Sequence, residues 1–471
     1  MTNSYSPISS RIRAEIQAAL SPGAVVTDPA ELRKYCNDAS KLCFSPEMVV
    51  CAQSVADVQA VMKLAQRHRF PVTPRGSGSG LAGGCLADQG GLVLSTERLR
   101  EITLIDPVNG ILKAQSGAIS QEVKDAAASV GLYYPPDPAG MDLSTIGGNA
   151  ATDAGGPACV KYGTTRDYIL GLEAVLADGQ LLETGVQTRK GVVGYDLTNL
   201  LIGSEGTLGI ITSLWLRLIP RPPAITGMMA VFSDMQSAMR SVTRIMAGGH
   251  LPCAIEFLDH RCLSLVGEML PFGLPGTTPS LLILELDGPG AQIAEEKERI
   301  NELMEAEGVV ALVNAANEQE REEIWAIRRQ VSLRIHDYAN LYDPEDVAVP
   351  LSTIATLVDQ LSAYEAEYGV EIFAFGHAGD GNIHLSVTAQ DGDRRNQVTA
   401  AVKALLAHSL ELGGTISGEH GIGLAKRQYL PMEIAPASVA LQEEIKALFD
   451  PNKILNPGKV FPPAGPTEEE L

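Results

Sequence analysis

An α+β architecture is predicted for this chain, from two contrasting rhythms and the proline break between them. Through Pro220 the sequence mixes short apolar strands, short helices and glycine-rich loops. Beyond Arg221-Pro222-Pro223, apolar strand segments alternate with long amphipathic helices, a pattern that suits a sheet covered by helices on one face. With 471 residues, 45% hydrophobic and 20% charged, the chain is long enough for two or three domains and a large core.

Each element has its own signal. Ile8, Ile12, Ile16 and Leu20 recur at four-residue spacing among Arg11, Arg13 and Glu15, predicting an amphipathic surface helix rather than a signal peptide's apolar core. Ser54-Val55-Ala56-Asp57 resembles a capping box for a helix that carries Val58, Val61, Met62 and Ala65 on one face and ends near Phe70-Pro71. Strands are expected at 92–95 and 102–105, and at 111–114 after the Asn109-Gly110 turn; Ser120 and Gly131 then bracket a helix as cap and stop. After the proline break, strands are expected at 228–232, 254–258, 281–286 and 371–375, the last breaking at glycines and resuming at 383–387. The helices among them are 295–307, 352–368 and 394–412, the last leading into a Gly413-Gly414 turn. The Glu-rich last residues read as disordered.

Composition excludes several functions. A net charge of −21 argues against nucleic acid or an anionic membrane as partner, while a redox partner with a basic docking face stays compatible. No run of eighteen apolar residues exists, so no membrane span is expected. The seven cysteines are scattered without a Cys-x-x-Cys pair, which points to a reducing, cytoplasmic setting and away from an iron–sulfur site in this chain.

Two sets of residues carry chemistry. The first is a series of glycine loops. Gly78-x-Gly80-x-x-Gly83 formally matches a dinucleotide fingerprint, but that motif needs a strand before it and a helix after it. Here a helix precedes, and further glycines follow. What remains is a run of unobstructed backbone N–H groups able to form an anion-binding nest, or else a mobile surface loop. Ser144-Thr145-Ile146-Gly147-Gly148-Asn149, Gly155-Gly156, Lys161-Tyr162-Gly163 and Gly203-Ser204-Glu205-Gly206-Thr207-Leu208-Gly209-Ile210 repeat the theme. Several such loops in one half-chain fit a long cofactor with phosphates and polar rings.

The second set is His377-Ala378-Gly379-Asp380-Gly381-Asn382-Ile383-His384, with Glu419-His420-Gly421. A tight bend at Gly379-Asp380-Gly381 can bring both imidazoles to one point, and with one carboxylate such as Glu419 they would form a zinc set with an open position. Asp380 is a further acidic candidate, or an Asx-turn residue. His420 can move a proton beside the ligands, or cap the Gly421–Gly423 turn. The remaining histidines, His68, His250, His260, His336 and His408, are read as packing or surface residues.

Pro74-Arg75-Gly76-Ser77-Gly78, Ser144-Thr145-Ile146-Gly147-Gly148-Asn149, Gly203-Ser204-Glu205-Gly206-Thr207 and Asn456-Pro457-Gly458-Lys459 together resemble the FAD-linked oxidases of the vanillyl-alcohol oxidase type. More closely, the chain is similar to the branch of D-lactate, D-2-hydroxyglutarate and glycolate dehydrogenases, over nearly its whole length from about Cys51 to Phe461. The resemblance implies a PCMH-type FAD-binding fold of two αβ subdomains plus a ferredoxin-like α+β cap domain over the flavin ring. The expected division is an N-terminal helical segment at 1–45, the FAD-binding domain at 46–222, a substrate and metal domain at 223–425, and a C-terminal segment at 426–471 returning to the FAD domain.

It further implies FAD contacts along Pro74, Arg75, Gly76, Ser77, Gly78, Ser79, Gly80 and Leu81, then Pro138, Ser144, Thr145, Gly147, Gly148 and Asn149. Gly155, Tyr162, Gly163, Glu205, Gly206, Gly209, Ile210, Ile211 and Asn456 complete the set. The family sometimes tethers its flavin through a histidine in the first glycine loop or a nearby cysteine. This loop has no histidine, and Cys85 and Cys159 read as packing residues, so non-covalent FAD is expected.

His377, His384 and Glu419 become the metal ligands, with zinc expected and manganese or iron as alternatives, and His420 becomes the base. Trp325-Ala326-Ile327-Arg328-Arg329 resembles the segment whose arginine holds the substrate carboxylate, which makes Arg328 the candidate; the rival reading pairs both arginines with Glu322 and Glu323. Pro344 stands where members handling a second carboxylate carry a lysine, favouring D-lactate or glycolate over 2-hydroxyglutarate. The expected activity is oxidation of a small 2-hydroxy acid to the 2-oxo acid, with electrons passed to an iron–sulfur subunit, an electron-transfer flavoprotein or a quinone system. A homodimer is compatible. A non-catalytic flavin relay subunit, or an oxidase of a phenol or sugar lactone, are the readings from other classes.

Overall fold

The computed structural model describes residues 5–40 and 42–463. The Glu-rich end lies outside the described residues. The chain divides into two compact units, one made of 1–155, 164–221 and 420–471, the other of 156–163 and 222–419.

In the first unit, helix α1 (Ser10–Ala19) buries Ile12 and Ile16, the stripe expected from their spacing. Strand β1 (Val25–Val26) and strand β2 (Met48–Cys51) lead to α2 (Val55–His68). Ser54 Oγ accepts from the Asp57 amide to cap α2, while Asp57 turns back to the amides of Ser21 and Gln53 rather than closing the box. The chain then enters β3 (Val72–Arg75), and after the first glycine loop, β4 (Leu92–Ser95). Both β2 and β3 pair parallel to β4, in the sheet order β1-β2-β4-β3. A strand therefore does precede the glycine loop, contrary to the sequence expectation. A four-residue strand after a long helix leaves little periodic signal. No helix follows the loop.

Strands β5 (Ile102–Asp106) and β6 (Ile111–Gln115) open a second sheet, followed by α3 (Ser120–Ser129) and the short α4 (Ile146–Thr152). Ser120 is the first residue of α3 rather than its cap, because Glu122 accepts from the Ile119 amide and Ser120 Oγ is drawn into the 144–149 loop. β7 (Ile169–Val175), β8 (Leu181–Gly185) and β9 (Ile210–Arg217) complete the antiparallel order β5-β6-β9-β7-β8.

The second unit is built on a seven-stranded antiparallel sheet. Its elements in order are β10 (Ala224–Phe232), α5 (Met235–Ala247), β11 (Ala254–Leu258), α6 (His260–Val266), β12 (Ser280–Gly288), α7 (Gly290–Ala306), β13 (Ala311–Asn314) and α8 (Glu318–Tyr338). β14 (Leu341–Ala348), α9 (Ile354–Tyr368), β15 (Glu371–His377), β16 (Asn382–Ala389) and α10 (Arg395–Glu411) follow. The strand order is β13-β10-β12-β11-β15-β16-β14.

Helices cover both faces of this sheet, not one. Met229, Val231, Leu281, Ile283, Phe373 and Phe375 pack against Leu263 of α6 and Ile324, Ile327 and Val331 of α8. The alternate residues Met228, Ala230, Phe232, Leu282 and Leu284 are equally buried, on the side of α5, α7, α9 and α10. β11 and β16 are buried at every position, and a strand buried on both sides needs cover on both. Pro344, which donates no amide hydrogen, lies in β14, an edge strand. Among the described residues no helix is long and apolar enough to cross a membrane.

Candidate active site

In the first unit, glycine loops distant in sequence touch one another. A Cβ at Gly76 would collide with the Thr145 side chain, and one at Gly206 would meet Pro74, so glycine is required for these loops to close up. The amide of Gly147 donates to the Ser116 carbonyl at 2.8 Å, and Thr145 Oγ1 caps α4 by accepting from Gly148. Asn456 ties the loops from below, donating Nδ2 to the carbonyls of Gly84 and Glu205. Ser77, Gly78, Ser79, Gly80 and Leu81 remain partly or fully exposed at the end of β3.

Several side chains expected at the cofactor make hydrogen bonds within the protein. Arg75 is buried, its guanidinium donating to the Lys34 carbonyl and Cys85 Sγ beneath the loop. Glu205 is buried, and its carboxylate accepts from the amides of Ile422 and Gly423 at 2.8 and 2.7 Å; burial pushes its pKa up. Asn149 Nδ2 donates to Ser120 Oγ, and Ser144 shares that hydroxyl. Ile210 and Ile211 are buried at the start of β9, next to Gly209, while Pro138 stays half-buried in the turn leading to Ser144. Gly155 is buried at the end of a segment of this unit. Tyr162 and Gly163 belong to the other unit, where the Tyr162 hydroxyl donates to Asp287 at 2.5 Å.

A phosphate-bearing cofactor with polar rings fits this region. Its loops offer open backbone amides and serine hydroxyls. Ser116 Oγ and Asn456 Oδ1 are buried there without a hydrogen-bond partner, as atoms awaiting a polar group would be.

In the second unit, β15 and β16 form a hairpin around Gly379-Asp380-Gly381, with His377 paired to Asn382 and Phe375 to His384. That register puts His377 and His384 on one face. The strands continue through both neighbours of the turn, so the histidines stand on rigid sheet rather than on a loop. Asp380 takes the Asx-turn role, accepting from the Asn382 amide at 3.1 Å.

Glu419 arrives by a different route. After α10, Thr415 pairs with Ala348 at the edge of β14, and the buried Asp346 accepts from the Glu419 amide at 2.6 Å and from Ser417 Oγ at 3.2 Å. Nε2 of His377 lies 3.4 Å from Nε2 of His384, and Glu419 Oε1 is 3.7 and 3.5 Å from them. The two rings stand at 88° to each other. Donors about 2.1 Å from a tetrahedral zinc are separated by roughly 3.4 Å, so the triangle has the size of a metal face. Two imidazoles and a carboxylate suit zinc, manganese or iron. Burial disfavours a charged His377, but the Glu256 and Glu419 carboxylates outweigh it and hold its pKa well above the usual histidine range, so a metal at this ring would have to displace a proton.

Glu256 was not singled out from the sequence. It is fully buried on β11 directly across from His377; one oxygen accepts from His377 Nδ1 and the other from Arg328 Nε at 2.7 Å. Its only sequence signal is a lone carboxylate in the apolar run Ala254-Ile255-Glu256-Phe257-Leu258. The two neighbouring arginines part company. Arg329 pairs with Glu322, while Arg328 turns inward with its guanidinium carbon 4.6 Å from the Phe375 ring centroid. His420 follows Glu419 directly and is half-buried. His68, His250, His336 and His408 bond to Glu15, Glu296, Asp337 and Tyr364 respectively, and His260 opens α6.

The fold is that of the flavin oxidases: p-cresol methylhydroxylase with substrate bound superposes with a TM-score of 0.78 at 17% identity, covering 97% of this chain and 98% of that one. Residues 46–185 match the FAD binding domain family, and residues 221–460 match the FAD linked oxidases, C-terminal domain. The chain belongs to the FAD-linked oxidase family. It is 38% identical over 418 residues to the glycolate oxidase subunit GlcD of Bacillus subtilis strain 168, covering 88% of this chain and 89% of that protein. Identity to the D-lactate dehydrogenase of Anaerostipes hadrus is 36% over 425 residues, covering 88% of this chain and 89% of that protein. The D-2-hydroxyglutarate dehydrogenase of Stutzerimonas stutzeri is 31% identical over 458 residues, with 95% and 98% covered. The protein is an FAD-dependent oxidoreductase.

Proposed function

We propose that this protein is a metal-dependent dehydrogenase of a small D-2-hydroxy acid, D-lactate or glycolate, yielding the 2-oxo acid. The observation that carries the reading is the convergence of His377, His384 and Glu419, with Arg328 joined to the same cluster through Glu256. When bound, the divalent metal, zinc in this reading, supplies Lewis-acid polarisation of the substrate hydroxyl and FAD supplies the hydride acceptor at N5. Arg328 holds the substrate carboxylate, and His420 takes the hydroxyl proton. Electrons then pass to a protein or quinone acceptor; the relative GlcD is named as a subunit, which supports a partner for this chain too.

D-2-Hydroxyglutarate is the alternative substrate, supported by similarity to a dehydrogenase of that name and opposed by Pro344. A flavin relay subunit without its own substrate is the remaining alternative. Anaerobic bleaching of the flavin by D-lactate, L-lactate, glycolate and D-2-hydroxyglutarate, before and after chelation, separates these readings. Bleaching by none of the four would sink the dehydrogenase, and bleaching indifferent to thorough metal removal would sink the metal's part. Arg328→Lys should raise KM about 10- to 100-fold with a smaller change in kcat, because the planar fork is lost while the charge stays. An unchanged KM would remove Arg328 from the carboxylate site.

The flavin is taken to be non-covalent. Cys85 is held between Arg75 and Asp38, and desolvation pushes its thiol up to about 11, leaving little thiolate to attack a flavin. Acid precipitation should leave all flavin in the supernatant; yellow colour retained in the pellet would show a tether.

A further inference from the structure

We propose that Glu256 is a positioning residue that couples the metal ligand His377 to the carboxylate-binding Arg328, so that affinity for the metal and affinity for the 2-hydroxy acid stand or fall together. The inference deepens the dehydrogenase reading and rests on it.

A carboxylate with no exposed surface in an apolar strand is costly unless both oxygens are matched by donors. Glu256 meets that demand with two partners of different function: Oε1 takes His377 Nδ1, and Oε2 takes Arg328 Nε. The first bond fixes the His377 ring so that Nε2 faces His384 and Glu419, the outer-shell arrangement by which proteins orient metal-binding imidazoles. The second fixes the guanidinium by its Nε edge, which leaves the Nη edge to meet a second carboxylate. Phe375 closes the arrangement from the other side. Its ring lies against Arg328 at 4.6 Å and against the His384 ring at 5.2 Å. Glu256, Phe375, His377 and His384 stand on one face of adjacent, hydrogen-bonded strands, so the pairing of the sheet fixes their relative places.

The test uses the full-length, FAD-loaded protein. Zinc content is measured by plasma mass spectrometry, zinc release into a chromogenic chelator is timed, and KM and kcat are read from flavin reduction in excess zinc. Glu256→Gln keeps the size of the side chain and removes its charge. It should weaken zinc binding by about 10- to 100-fold, and in excess zinc raise KM for the 2-hydroxy acid about tenfold while flavin content stays at the wild-type level. Arg328→Lys contacts none of the three metal donors, yet it should speed zinc release several-fold by loosening Glu256, a readout that survives if Glu256→Gln does not fold. Wild-type zinc affinity in Glu256→Gln, an unchanged KM in that variant, or unchanged zinc release in Arg328→Lys would each overturn the coupling. A wild-type protein that binds no metal would instead overturn the metal-dependent reading beneath it, and the coupling with it.

Discussion

On the metal-dependent reading, His384→Ala is expected to purify with its flavin and without a metal. The ring of His384 is one of only three side chains in the triangle with His377 and Glu419, and two remaining ligands do not hold zinc against water and buffer. Anaerobic flavin reduction by the 2-hydroxy acid should slow by on the order of 10³, the rate equivalent of several kcal/mol of lost charge stabilisation. Metal content near one per chain in the variant would show that the ion sits elsewhere. Because His384 also packs against Phe375, flavin content and melting temperature should be recorded alongside. A loss of metal with both retained isolates the ligand role.

His420→Ala should behave differently. Metal and flavin should both stay, and kcat should fall by about 10²- to 10⁴-fold, the range for removal of a general base. Part of the rate should return as pH rises, since hydroxide then replaces the missing acceptor. The contrast between the variants is diagnostic: loss of metal on changing His420 would make it a ligand, and an unchanged kcat would make it a cap of the Gly421 turn. Glu419 and His420 are consecutive, which is how one short segment could serve both tasks.

Much of this was legible in the order of residues, because the signals are local. Hydrophobic spacing located α1, α2 and the strands at 92–95 and 254–258, and the glycine loops and the His-Gly-Asp-Gly-His segment announced themselves as runs. Elements with weak local signals were misread, notably the four-residue β3 before the first glycine loop and Ser120 as a cap.

The supporting residues were not legible at all. Glu256 lies 121 residues from His377 in sequence, and Asp346 lies 73 from Glu419. Glu256 meets His377 because their strands pair side by side, and Asp346 meets Glu419 because the segment after α10 pairs with the edge of β14 and brings the Glu419 amide to its carboxylate. Spacing along a chain carries no such information. The sequence singled out His377, His384 and Glu419 as candidate ligands, His420 as the candidate base and Arg328 as the candidate for the carboxylate. Folding placed buried acids behind them, where a charge survives only if every oxygen has a donor, and so decided which arginine turns inward, which nitrogen of His377 faces His384 and Glu419, and how Glu419 reaches them.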